Sequence, residues 1–207
     1  MNARELMELC PVVPVVVLED ARHAVPLARA LVAGGLPAIE LTLRTPAALE
    51  AIERIAAEVP DAVVGAGTVT TPGQVRDAAG AGARFLVSPG CTGPLREAMT
   101  GSGLPFLPGV ATASEALALL EHGITAMKFF PAEAAGGAAY LRALGGPLPQ
   151  VTFCPTGGIT PESAAGYLAL PNVGCVGGSW LTPPGLVRAG DWDRIEDLAR
   201  KAAALRS

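Results

Sequence analysis

The sequence predicts a single-domain α/β protein: a (β/α)8 TIM barrel with a short extra N-terminal helix. Three observations lead there. Short Val/Ile/Leu-rich runs, about eight of them, alternate with Ala/Leu/Glu/Arg-rich stretches of helical pattern, as repeated βαβ units around a parallel sheet require. The apolar runs are nearly continuous, as expected of strands covered on both faces. Two Gly-Gly loops follow the last two runs, the usual phosphate position of such barrels. With 207 residues, the chain lies at the small end of the range for this fold. An open doubly wound sheet is the competing arrangement. No linker, low-complexity tract or composition shift divides the chain, so residues 1–207 read as one domain.

Taken in order, a short helix over 3–8 precedes the first strand, 12–18 (VVPVVVL). Further strands are expected at 38–43 (AIELTL), 62–66 (AVVGA), 84–88 (RFLVS), 105–108 (PFLP), 125–130 (TAMKFF), 151–154 (VTFC) and 173–177 (VGCVG). β-branched and apolar residues dominate these runs, and turn residues bound them. Helices are expected over 20–33, 46–58, 72–81, 92–100, 113–121, 137–144, 161–169 and 193–205. Thr45-Pro46, Thr71-Pro72 and Thr160-Pro161 each place a hydroxyl cap before a proline at the first helical position. Thr112 followed by Glu115 offers a capping hydroxyl with an acid in the first turn.

Half the residues are hydrophobic and 16% are charged, a balance that supports a large buried core rather than disorder. The net charge is -4 and no basic run or patch is present, so neither nucleic acid nor a membrane surface is expected as a partner. No apolar stretch approaches the roughly 18 residues needed to span a bilayer, and the polar start MNARELMELC lacks a signal-peptide layout. Cys10, Cys91, Cys154 and Cys175 form no CxxC pair and read as reduced, mostly buried thiols of a cytoplasmic protein.

The unexpected polar residues fall at the C-terminal ends of strands, where barrel enzymes collect their functional groups. Lys128 interrupts the apolar run before Phe129-Phe130-Pro131. Burying a lone ammonium is costly, so such a lysine either loses its charge or finds a partner. An unprotonated lysine is a nucleophile toward carbonyls and forms Schiff bases. The plainer possibility is a strand-end lysine reaching water. With period-two alternation, Glu40, Thr42 and Arg44 share a face directed into the barrel, where Glu40 and Arg44 form either a structural ion pair or part of a site. Gly65-Ala66-Gly67-Thr68 permits close backbone approach, and Ser88-Pro89-Gly90 reads as a turn at the mouth. Gly157-Gly158 and Gly177-Gly178-Ser179 present backbone N–H groups suited to a phosphate. His23 and His122 lie on elements that cannot form a metal pair. No histidine and carboxylate cluster is visible for a metal-dependent reaction, which leaves lysine as the activator of an electrophile. Trp180 and Trp192 read as packing residues.

These motifs resemble those of the bacterial 2-keto-3-deoxy-6-phosphogluconate (KDPG) aldolases, also active as 4-hydroxy-2-oxoglutarate (KHG) aldolases. The likeness runs nearly end to end: PVVPVVV (11–17), HAVPLARALVAGGL (23–36), LTLRT (41–45), VGAGTV (64–69), VSPG (87–90), LPGVAT (107–112), KFFPAE (128–133), CPTGGI (154–159) and GGSWL (177–181). The resemblance implies a class I lyase of TIM-barrel fold, usually a homotrimer, acting on a 2-keto acid with no metal or other cofactor. It implies Lys128 as the Schiff-base lysine and Glu40 as the general acid/base. It further implies Arg44 and Thr68 as ligands of the pyruvate carboxylate, with Pro89, Phe130 and Thr156 lining the site. Gly157, Gly158, Gly178 and Ser179 would cradle the phosphate. Alternatives are the related galactonate-derived aldolase, a thiamine-phosphate-synthase-like transferase, and a non-catalytic sugar-phosphate binder. The acidic segment Leu18-Glu19-Asp20-Ala21-Arg22 leaves open the preference between phosphorylated and unphosphorylated substrates.

Overall fold

The computed structural model describes residues 1–205. Nine strands, all paired in parallel, occur among these residues. They are β1 (Val12–Val16), β2 (Ala38–Thr42), β3 (Val63–Gly67), β4 (Leu86–Val87), β5 (Phe106–Leu107), β6 (Gly109–Val110), β7 (Ala126–Phe129), β8 (Thr152–Pro155) and β9 (Val176–Gly178). The helices are α1 (Ala3–Glu8), α2 (Ala24–Ala33), α3 (Ala48–Glu58), α4 (Pro72–Gly80), α5 (Gly93–Gly101), α6 (Ala113–Leu120), α7 (Gly137–Leu144), α8 (Pro161–Leu168), α9 (Pro184–Ala189) and α10 (Trp192–Ala203). The strands form a six-stranded sheet in the order β5-β4-β3-β2-β1-β9 and a three-stranded sheet in the order β6-β7-β8. This is an α/β fold with a curled parallel sheet.

Prolines decide where strands change partners, because a residue without an N–H cannot serve a full ladder. Pro14 is the last β1 residue registered with β9, opposite Gly178, and the residue after it begins the pairing with β2 at Val15 and Glu40. Pro108 acts more strongly. The strand expected at 105–108 ends at Leu107 and resumes at Gly109, so β5 pairs with β4 while β6 pairs with β7. The Pro108 carbonyl accepts from the Lys128 N–H at 2.9 Å, which ties the break to the strand that carries the lysine. At the other sheet boundary, single parallel bridges join Phe153 to Val173 and Thr156 to Gly177.

Several helix starts follow the sequence. Thr71 and Thr160 cap α4 and α8 through their side chains, and Thr112 forms a capping box with Glu115 on α6. Thr45 departs from expectation. Its hydroxyl donates to the Leu18 carbonyl at 2.5 Å, and α3 begins at Ala48 without a side-chain cap. A loop carbonyl after β1 captured the hydroxyl that local pattern assigned to the helix. The helix expected from residue 20 begins at Ala24, preceded by a 3-10 turn over Ala21–His23 capped by Asp20. Helix α9 was not legible in the sequence: its six residues, PGLVRA, are too short for a periodic signal.

Among the described residues, no helix is long and apolar enough to cross a membrane. Cys10, Cys154 and Cys175 are buried and Cys91 is half-buried, and none of the four is in a disulfide. Burial pushes the Cys91 thiol up, against the smaller opposing pull of Arg96, so it lacks the activated thiolate that a nucleophilic cysteine needs.

Candidate active site

Parallel pairing puts every strand's C-terminal end on the same side, so residues that end different strands converge. Lys128, on β7, and Glu40, on β2, meet there. The Lys128 Nζ donates to Glu40 Oε1 at 3.0 Å, with Oε2 at 3.4 Å. Both side chains are removed from solvent: Glu40 is 2% exposed and Lys128 5%. An ion pair this deep gains little net stability, since desolvation offsets most of the attraction. Chemically, the arrangement sets an amine within hydrogen-bond reach of a carboxylate, a geometry that allows proton exchange between them. The Lys128 Nζ also lies 5.5 Å from the centroid of the Phe130 ring.

The alternation along β2 holds through Thr42, whose hydroxyl donates to the Val16 carbonyl at 2.9 Å. It does not extend to Arg44. The strand ends at Thr42, and Arg44 stands exposed in the following turn. The partner of Glu40 is therefore Lys128, not Arg44, and the ion pair considered between Glu40 and Arg44 is not formed. An exposed guanidinium beside the strand ends is free to form a planar fork on an incoming carboxylate.

Gly67 ends β3 directly against the carboxylate. A Cβ there would lie 2.2 Å from Glu40 Oε1 and 2.5 Å from its Cγ. The next residue, Thr68, has φ 57°, the left-handed region that a β-branched residue rarely occupies. Such strain persists where surrounding structure enforces it, often at functional sites. Gly67→Ala is expected to displace the Glu40 side chain and lower kcat by about 10²-fold, the scale of a 1 Å misplacement. The fold should persist, because the clash falls on a side chain. Steady-state kinetics with circular dichroism checks this, and unchanged kcat would show that the position of Glu40 does not limit turnover.

Pro89 is half-buried, and its carbonyl carbon would lie 2.2 Å from a Cβ on Gly109. Thr156 is 5% exposed and follows Cys154, the residue in register with Lys128. Gly157 and Gly158 have φ 103° and 81°, closed to most other residues. Gly157 packs on the Phe130 ring, and the Trp180 ring covers Gly178 so closely that a Cβ would sit 2.4 Å from it. Ser179 is exposed beside this loop. The two glycine loops touch: Thr156 bridges to Gly177, and a Cβ on Gly177 would lie 2.2 Å from Thr156 Oγ1. Among the described residues, no group of three or more His, Cys, Asp or Glu is placed to hold a metal ion. A separate cavity of about 500 Å³ opens beside α1 and the starts of β5 and β7, lined by residues including Arg4, Leu104, Phe106 and Ile124. It contains neither Lys128 nor Glu40.

Residues 3–198 match the sequence family described as KDPG and KHG aldolase. The chain belongs to the KDPG and KHG aldolase family. The 2-dehydro-3-deoxy-phosphogluconate aldolase of Pseudoalteromonas atlantica is 52% identical over 204 residues, covering 99% of this chain and 95% of that protein. The KHG/KDPG aldolase of Escherichia coli K12 is also 52% identical, over 97% of this chain and 94% of its own length. The crystal structure of the KDPG aldolase from Legionella pneumophila, with pyruvate captured at low pH as a covalent carbinolamine intermediate, superimposes with a TM-score of 0.96. It is 46% identical and covers 98% of each chain.

Two members of the neighbourhood escaped sequence reasoning. Glu133 closes the motif KFFPAE, and Tyr167 lies in the last turn of α8. The Tyr167 hydroxyl donates to Glu133 Oε1 at 2.8 Å. Glu133 was in plain view within KFFPAE but carried no assigned role; nothing local marked Tyr167, which reads as an ordinary core position of a helix.

Proposed function

We propose that this chain is a class I aldolase that cleaves 2-keto-3-deoxy-6-phosphogluconate to pyruvate and glyceraldehyde 3-phosphate, and 4-hydroxy-2-oxoglutarate to pyruvate and glyoxylate. One contact carries this reading: the buried 3.0 Å pair of Lys128 and Glu40. A binder of sugar phosphates has no use for such a pair, and a transferase leaves Lys128 without a role.

In this mechanism Glu40 takes a proton from the Lys128 ammonium, and the free amine attacks the C2 carbonyl. Glu40 returns the proton to the carbinolamine oxygen, which leaves as water and gives a protonated imine. Glu40 then accepts the C4 hydroxyl proton as the C3–C4 bond breaks, and the bonding electrons pass into the imine to form an enamine. The aldehyde departs. Protonation of the enamine at C3 and hydrolysis of the imine release pyruvate and restore the amine. The protonated imine serves as the electron sink, so the scheme calls for no metal or other cofactor.

Arg44 and Thr68 bind the carboxylate of the keto acid, and Pro89, Phe130 and Thr156 shape the wall around it. Gly157, Gly158, Gly178 and Ser179 hold the phosphate through backbone N–H groups and the serine hydroxyl. Their positions at the strand ends and their left-handed or tightly packed glycines support these roles. Arg44→Lys is expected to lower kcat/KM by about 10- to 100-fold, the effect of losing a charged hydrogen bond of about 1.5–3 kcal/mol. Unchanged kinetics would move the carboxylate site elsewhere.

The architecture proposed for residues 1–207 is one closed (β/α)8 barrel. Two features support this reading: Pro108 separates β5 from β6 by one residue, and the bridges Phe153–Val173 and Thr156–Gly177 link the two sheets at their other boundary. A cytoplasmic homotrimer is proposed from the family resemblance.

Borohydride trapping tests the function. Protein incubated with pyruvate, sodium borohydride and a chelator is expected to gain one reduced pyruvate, mapped to Lys128 by peptide mass spectrometry. An unmodified Lys128 under excess pyruvate would defeat the Schiff-base reading.

A further inference from the structure

The glycine loop after β8 is gripped from behind by a segment that the reaction does not use. The Ala132 N–H donates to the Thr156 carbonyl at 2.8 Å, and the Glu133 N–H donates to the Gly157 carbonyl at 3.0 Å. The stem of Glu133 then lies across Gly158, where a Cβ would sit 2.7 Å from Glu133 Cγ and 2.8 Å from its Cβ. The carboxylate is led away to α8, where Tyr167, 2% exposed, donates its hydroxyl to Oε1 at 2.8 Å. Burial, this hydrogen bond and the nearby negative charge all push the Tyr167 hydroxyl up, so it remains a protonated donor across the working pH range. Gly137, at φ 62°, leaves room for the pair: a Cβ there would lie 3.3 Å from the hydroxyl.

We infer that Tyr167 and Glu133 form a positioning pair that sets selectivity for phosphorylated over unphosphorylated substrate. The inference rests on the assignment of the phosphate to the Gly157-Gly158 and Gly178-Ser179 loops. Two physical effects act together. The Glu133 stem fixes the backbone of Gly158, and therefore the direction of its N–H. The Tyr167 hydroxyl also holds an anion away from a loop built to receive another anion. Once released from α8, the Glu133 charge close behind the loop is no longer neutralised by the tyrosine donor and repels the phosphate. The keto-acid end, bound through Lys128 and Arg44, is untouched.

The test compares wild type, Tyr167→Phe, Glu133→Gln and the double variant on 2-keto-3-deoxy-6-phosphogluconate and on 4-hydroxy-2-oxoglutarate. Tyr167→Phe is expected to raise KM for the phosphorylated substrate by about 3- to 10-fold, with kcat and the kinetics of the unphosphorylated substrate unchanged. Glu133→Gln keeps an acceptor for the tyrosine and removes the charge, so it should resemble wild type, and in the double variant it should restore the KM lost in Tyr167→Phe. A merely structural role would instead reduce both activities together. Equal loss on both substrates, no loss on either, or no rescue in the double variant overturns the inference. Inhibition by inorganic phosphate in wild type and in Ser179→Ala separates the two levels. If Ser179→Ala weakens that inhibition while Tyr167→Phe changes nothing, the phosphate site stands and the positioning role falls. If neither variant changes phosphate sensitivity or KM, both fall.

Discussion

Lys128→Ala is expected to lose turnover by a factor on the order of 10⁶, the scale on which a covalent nucleophile is missed. It is also expected to take up no pyruvate under borohydride. No second lysine is available as a substitute: the chain's other lysine, Lys201, lies exposed on α10. The variant also leaves the Glu40 carboxylate buried beside a void. Removing one partner of a buried pair costs about 3–5 kcal/mol, against a total of about 5–15 kcal/mol for a typical domain, so a lower melting temperature should accompany the lost activity. The double variant Lys128→Met with Glu40→Gln removes both charges and should recover much of that stability while staying inactive. Thermal melts and turnover on the four combinations separate loss of chemistry from loss of fold. Near-normal turnover in Lys128→Ala would remove the lysine from the reaction.

Glu40→Gln is expected to lower kcat by about 10²–10⁴-fold, the contribution of a positioned general acid or base. The amide keeps the size of the carboxylate and can accept from Nζ, so the site should retain its shape and still bind substrate. Its KM should change little. Pyruvate trapping should still occur on Lys128, but more slowly, because carbinolamine dehydration loses its proton donor. A loss of only a few-fold would assign the proton transfers to another group.

Much of this was readable before folding. Strand and helix positions follow from short-range pattern: apolar runs for strands covered on both faces, and hydroxyl-proline pairs for the starts of α4 and α8. The buried charged pair was readable as an anomaly as well, because a lysine in an apolar strand and a glutamate among aliphatic neighbours violate the local rule for their surroundings. The departures have different causes. Thr45 found a carbonyl on another loop instead of its own helix, a contact distant in sequence overriding a local preference, while Pro108, lacking an N–H, split a strand in two and Arg44 lies in the turn beyond the end of β2.

The sequence by itself determined the repeating parallel architecture and the family, and it marked Lys128 and Glu40 as out of place in their strands, since these depend on residue type and near-neighbour spacing. The tertiary structure decided who meets whom. Glu40 and Lys128 are 88 residues apart and touch because β2 of the six-stranded sheet and β7 of the three-stranded sheet bring their side chains together. Gly67 matters because it abuts that carboxylate, and Tyr167 because helix packing delivers its hydroxyl to Glu133. No local pattern encodes such meetings: they follow from strand register and sheet curvature, which belong to the chain as a whole.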